Sequence, residues 1–223
     1  MKLKIDNNHY TITSEPSVQL YQDVMQLDFD HLKSWPIIIQ RYTKCTEEES
    51  LMLPMPQRQL AMSLIISQIN RREPTDIKPL SELTFGEFID LDVYINLSVD
   101  KHLDKITDLL GTQTSAAKAL WQVDQFIAYR TYILRQYKVL FGLDEEDFKV
   151  DEDSQTEWDP MSLARNWYKV IVALAGDDIL NIDSVTEEPL IKVLNFMALQ
   201  KEKAEALAQQ QKRQQYDLQR NRR

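Results

Sequence analysis

Three histidines, one cysteine and a few carboxylate pairs are the residues from which this chain could build a reactive site. His9, His31 and His102 stand at neither the H-x-x-x-H nor the H-x-x-E spacing that puts two metal ligands on one helical face. They read as surface or boundary histidines. Cys45 lies in "YTKCTEEES", just ahead of a helix cap, with no histidine near it in sequence. A thiol nucleophile needs a base that activates it, so Cys45 reads as a structural or boundary cysteine. As the only cysteine, it also excludes a disulfide framework and a cysteine metal knuckle. In "DLDVYINLSVDK", Asp90 and Asp92 mimic the first two ligands of a calcium loop. Ile95 stands where that loop needs its glycine, and the stretch has helical periodicity, so the calcium reading fails. Gly86, Gly111, Gly142 and Gly176 are isolated, and no glycine-rich loop is present to cradle a phosphate. The expectation is a protein that is not an enzyme and uses no metal and no cofactor.

The elements that would position any site are helical. The chain has 223 residues, 43% of them hydrophobic, enough for one large domain or two small ones with a real core. Four glycines are few for an alternating βα fold with its many tight turns. The net charge of −9 disfavours general binding to nucleic acid or to an anionic membrane. "MKLKIDNNHY" is too polar for a signal peptide, and no run approaches the roughly 20 apolar residues that cross a bilayer.

Leu3 and Ile5 alternate with Tyr10 and Ile12 around Asp6-Asn7-Asn8, which predicts a β-hairpin. Helical spacing then begins at Ser14, with Pro16 in the first turn and Val18, Tyr21 and Met25 on one face. A second helix restarts at Pro36. Thr46 with Glu49, and Thr84 with Glu87, have the spacing of capping boxes. Leu60, Leu64, Ile65 and Ile69 make an amphipathic stripe, and "NRREPTDIKP" is a loop. After Thr84, Phe88, Leu91 and Ile95 share a face. The segment "SAAKALWQVDQFIAYRTYILRQYKVLF" carries two stripes: Leu120, Val123, Ile127 and Leu134, and Ala119, Phe126, Ile133 and Leu140. Gly142 ends it. Between Asp144 and Asp159 nine acids face one lysine, the composition of a solvated connector. Pro160 opens the next helix, which stops at Gly176, and a short polar turn leads to Thr186 as the cap of a last helix that nothing interrupts.

The predicted fold class is therefore mainly α: a helical bundle with a small N-terminal β-hairpin and a long C-terminal helix. The predicted domains are a helical domain over 1–143, an acidic linker over 144–159, and a C-terminal helix pair with an extended basic helical arm over 160–223. Leu190, Val193, Leu194 and Met197 make the start of the last helix apolar enough to dock, or to serve as core. After Gln200 only a thin seam survives, through Ala204, Leu207, Ala208, Gln211, Gln215 and Leu218. Residues 201–223 hold seven basic and three acidic residues, so the arm carries +4 and the rest of the chain −13. Three readings fit this arm: a frayed helix end, a segment that orders on a partner helix or another copy, and a weak, salt-sensitive nucleic-acid contact through "RNRR". Trp121 and Trp167 fall inside periodic helices and read as core. Trp158, beside the acidic connector, is either a partner anchor or a hydrophobic staple on its own helix. The candidate partner-binding residues are thus Leu190, Leu194, Met197, Leu207, Tyr216 and Trp158.

The segment "LTFGEFIDLD" at 83–92 resembles small helical proteins encoded in the tail and virion modules of tailed bacteriophages, the tail or baseplate assembly chaperones. The order of elements is similar: an early Tyr21-to-Val24 helix, the Thr46 cap with its three glutamates, and an ending "NWYKVIVALAGDDILNIDSVTEEPLIKVLNFMALQKEKAEA". The acidic connector departs from that pattern. The resemblance implies a non-catalytic role in the host cytoplasm or the virion, with a phage structural protein such as a tape-measure or tail protein as partner. Alternatives are a structural neck, baseplate or tail-junction subunit, and a regulator that binds nucleic acid through the arm.

Overall fold

The computed structural model describes the backbone of residues 2–5, 8–142 and 160–220, and side chains within 9–142 and 161–214. The fold is mainly α. Among the described residues there are ten α-helices and one pair of short strands. The expected acidic linker lies outside the described residues. No described helix is long and apolar enough to cross a membrane.

The chain forms two compact units whose division differs from the expected one at 143. The first comprises residues 1–80 and 91–127, the second residues 81–90 and 128–223.

In the first unit, β1 (Lys2–Ile5) and β2 (Asn8–Thr11) pair antiparallel, with Lys2 opposite Thr11 and Ile5 opposite Asn8. Asn8 is therefore strand and not turn. α1 (Val18–Met25) starts later than Ser14, with Ser17 as its N-cap. The reason is that residues 16–18 are committed elsewhere: Ser17 bridges Ser115, Val18 N–H donates to Thr114 O at 3.0 Å, and Ala116 N–H donates to Pro16 O at 2.8 Å. α2 (Trp35–Thr43), α3 (Glu47–Met52) and α4 (Met55–Ile69) follow. The Thr46–Glu49 capping box forms as its spacing requires. α4 buries Ala61, Met62, Ile65 and Ile69 and leaves Leu60 exposed, so the expected stripe is turned by about one residue.

α5 (Phe85–Leu110) carries non-helical backbone at Ser98. Its Leu91–Leu110 part and the first turns of α6 (Ala116–Gln136) belong to the first unit. There Tyr21 Oη donates to Asp100 Oδ1, and the Gln22 side chain donates to Asp104 Oδ1 at 2.9 Å and to Lys101 O at 3.2 Å. These bonds fix α1 to the part of α5 beyond Ser98. Burial, then the hydrogen bond to Asp100, raises the Tyr21 hydroxyl pKa. Burial pushes Asp104 up, but the Gln22 amide and nearby backbone N–H groups outweigh it and hold its carboxyl below the usual range.

The second unit contains Phe85–Asp90 of α5, the end of α6, α7 (Lys138–Phe141), α8 (Pro160–Leu174), α9 (Ile182–Thr186) and α10 (Leu190–Arg220). Its core gathers around Trp167. The rings of Phe85, Phe88 and Phe141 lie edge-on to it, at centroid distances of 5.8, 6.2 and 6.0 Å, the geometry that aromatic quadrupoles favour. Of the two predicted stripes, Ala119, Leu120, Val123, Phe126 and Ile133 are buried, Leu134 and Leu140 are half-buried, and Ile127 is exposed.

Thr186 does not cap the last helix. It closes α9, where its Oγ1 donates to Asp183 O at 3.0 Å. α10 begins four residues later because Thr84 and Pro189 form a short bridge. In that bridge Phe85 N–H donates to Glu188 O at 2.8 Å, and Leu190 N–H donates to Leu83 O at 3.0 Å.

Candidate partner-binding surface

α10 is positioned by the segment at 83–90. Thr84 and Glu87 complete their capping box: Thr84 N–H donates to Glu87 Oε2 at 2.9 Å, and Glu87 N–H donates to Thr84 Oγ1 at 3.2 Å. Gly86 brings α5 against α9. A Cβ built on it would stand 3.0 Å from Thr186 Cβ and 3.2 Å from Thr186 O, tighter than nearly all real Cβ contacts. The first turn of α5 is thus shaped to receive residues 186–190, and α10 leaves from there.

The base of α10 is anchored by its apolar side and by two side-chain hydrogen bonds. Leu190 and Leu194 are fully buried and Val193 nearly so. Tyr137 Oη donates to Asn195 Oδ1 at 2.8 Å, and Lys201 Nζ donates to Val139 O. Burial, then the neighbouring Tyr132 hydroxyl, raises the Tyr137 pKa, so the phenol stays a donor well into the alkaline range.

Past this base the helix changes. Every residue from Glu202 to Gln214 is exposed, and Leu207 keeps 58% of its surface in solvent. Phe196, half exposed, and Leu207 are eleven residues apart, close to three turns. They therefore share one side of the helix, with Lys203 between them.

The structure separates the predicted binding residues. Leu190 and Leu194 are core, because burial in the second unit removes them from any partner's reach. Met197 is half-buried. Leu207 stands free in the arm. Tyr216 lies on α10, but its side chain, like Trp158, is outside the described residues. Trp167 is core and Trp121 half-buried.

Sequence reasoning missed a groove beside the base of α10. Leu174, Val185, Val193 and Phe196 line a cavity of about 250 Å³, rimmed by Glu188 and Lys192, which pair at 2.6 Å. The lining residues come from three helices, so no local period announces the groove. A larger depression of about 720 Å³ in the first unit, lined by residues 9–15, Thr43 and Lys44, brings no reactive set together.

The stretch taken as a short polar turn is also different in kind. α8 ends in a Schellman motif: Asp177 N–H donates to Val172 O at 3.0 Å and Gly176 N–H to Ala173 O at 3.2 Å. Gly176 and Asp177 both adopt left-handed backbone, φ 70° and 60°. A single 3₁₀ turn, Ile179–Asn181, follows and presents Ile179 and Leu180 to solvent.

The residues singled out for chemistry are scattered. Cys45 is buried. The His102 ring lies 5.2 Å from that of Tyr94. Asp90 and Asp92 lie inside α5, where burial and then the Glu87 charge push the Asp90 carboxyl up. Among the described residues no group of three His, Cys, Asp or Glu side chains could hold a metal ion. Compared with protein-family models, with curated proteins and with solved structures, the chain gives no match.

Proposed function

We propose that this chain is a non-enzymatic assembly protein of a tailed bacteriophage, a chaperone or adaptor that holds another phage structural protein by helix packing along α10. The observation that carries the reading is the change of exposure within one helix. α10 is built into the second unit at Leu190 and Leu194, then continues for more than three turns with every side chain in solvent. A helix of that length is marginal in water without packing. Its Phe196–Lys203–Leu207 side offers the spaced anchors that a partner helix reads. The resemblance at 83–92 supplies the setting, a host cell in which tail or tape-measure proteins await assembly.

The test is affinity purification of the tagged full chain from infected cells, beside a chain ending at Gln200, with mass spectrometry of both. A dominant structural protein captured only by the full chain is the expected result. Identical capture by the two chains removes the arm from the binding site and ends the reading. Stoichiometric copies in purified particles instead identify a virion subunit.

A further inference from the structure

The turn between α8 and α9 carries a feature that binding along the arm does not use. Ile179 and Leu180 are 76% and 83% exposed, the most exposed large apolar side chains among the described residues. A single exposed leucine is ordinary. Two adjacent ones on a turn held from both ends are not. The Schellman motif fixes the approach to the turn. Asp178 Oδ1 accepts from Leu180 N–H at 3.0 Å, and the Asn181 side-chain amide donates to Ala175 O at 3.3 Å. The backbone of the turn is thus pre-ordered with both side chains held out to solvent, which lowers the backbone entropy lost on docking.

A matching depression lies in the same unit. Leu174, before the turn, and Val185, after it, are two of the walls of the 250 Å³ groove completed by Val193 and Phe196. That volume is on the order of two aliphatic side chains at interior packing density. A protrusion beside a depression of its own size is self-complementary under a two-fold axis. Charge agrees. Asp177 and Asp183 flank the protrusion, and Lys203 follows Phe196 along α10. None of the three has an ion-pair partner among the described residues.

We propose that the occupant of this groove is a second copy of the chain. In a two-fold dimer, Ile179 and Leu180 of each copy fill the Leu174–Val185–Val193–Phe196 groove of the other, with the acidic turn against the partner's Lys203. Phe196 and Lys203 also lie on the side of α10 offered above to a partner helix, so the dimer and that partner compete for them, and the dimer is tested on the chain alone. A contact this small, well under a standard interface, makes the dimer a weak, transient one.

Sedimentation of the full chain from about 5 to about 500 µM at low salt tests it. The expected result is a monomer–dimer equilibrium in the parent chain. Leu180→Asp and Phe196→Asp each weaken it at least ~100-fold, since losing one buried aliphatic contact costs about tenfold and the dimer carries the contact twice. Leu180 is outside the core, so its variant melts like the parent and the loss is not unfolding. Deleting residues 209–223 leaves the dimer intact. The proposal is overturned by a parent chain that stays monomeric at the highest concentration, by a dimer that persists in Leu180→Asp, or by a dimer that the deletion abolishes.

Discussion

The two ends of α10 are one continuous helix under opposite regimes. At its start Leu190, Val193 and Leu194 are buried in the second unit, and Tyr137, Val139 and the Thr84–Pro189 bridge fix its direction. From Glu202 to Gln214 every residue is exposed. The backbone geometry is the same and the helix propensity of the arm, rich in Ala, Gln, Lys and Glu, is if anything the higher. The contrast teaches that helix-forming composition and structural stability are separate properties. The base holds because of tertiary packing, and the arm keeps its shape by propensity and by continuing from a helix that is already nucleated.

Mutations at the two ends should therefore differ widely. Leu194→Ala is expected to have the largest effect, about 2–5 kcal/mol of stability lost to transfer and cavity terms, read by urea denaturation. A loss below about 1 kcal/mol would mean that the base is not core, and the comparison would collapse. Gly86→Ala is next. The methyl would stand 3.0 Å from Thr186 Cβ, and an overpacking cost of about 1–3 kcal/mol should outweigh the roughly 1 kcal/mol gained in helix propensity, for a net loss of up to about 2 kcal/mol.

Tyr137→Phe removes the bond to Asn195 and should cost about 0.5–1 kcal/mol. The Tyr137 hydroxyl has a raised pKa in the folded chain. Its contribution is thus fully present below the free-tyrosine value near pH 10 and is lost as pH rises through the raised value. Stability measured between about pH 9 and 11 should accordingly fall less steeply in the variant. Leu207→Ala closes the series with a change within about 0.5 kcal/mol. If it unfolds the protein, the arm is packed after all. If it leaves stability alone but weakens capture of the partner, the division of labour along α10 is sharpened.

Much of this was legible in sequence, and the failures share a cause. Both capping boxes follow from a three-residue spacing, and the arm's exposure follows from its missing apolar stripe. Local patterns report local structure. Leu60 and Ile127 were assigned to buried stripes because helical period fixes which residues share a face, not which face meets a neighbour. Gly86 sits in the most recognisable segment, yet its reason is Thr186, a hundred residues away and absent from any window. The division into units was illegible for the same cause, since the bridge from 84 to 189 has no period. Ser98 interrupts α5 without the Gly or Pro that usually marks a break. Ile179 and Leu180 were hidden among aspartates, where a five-residue turn is too short to show amphipathicity.

That bridge also has a consequence in time. The partners of Leu83 and Phe85 are Glu188 and Leu190, which a ribosome adding 5–20 residues per second reaches only about 5–20 s later. During that interval Leu83, Phe85 and Phe88, all fully buried at the end, have no finished unit to enter. Birth of the second unit is post-dated until residue 190 has been made, and a nascent chain cut short before that point would be sticky around residues 83–88.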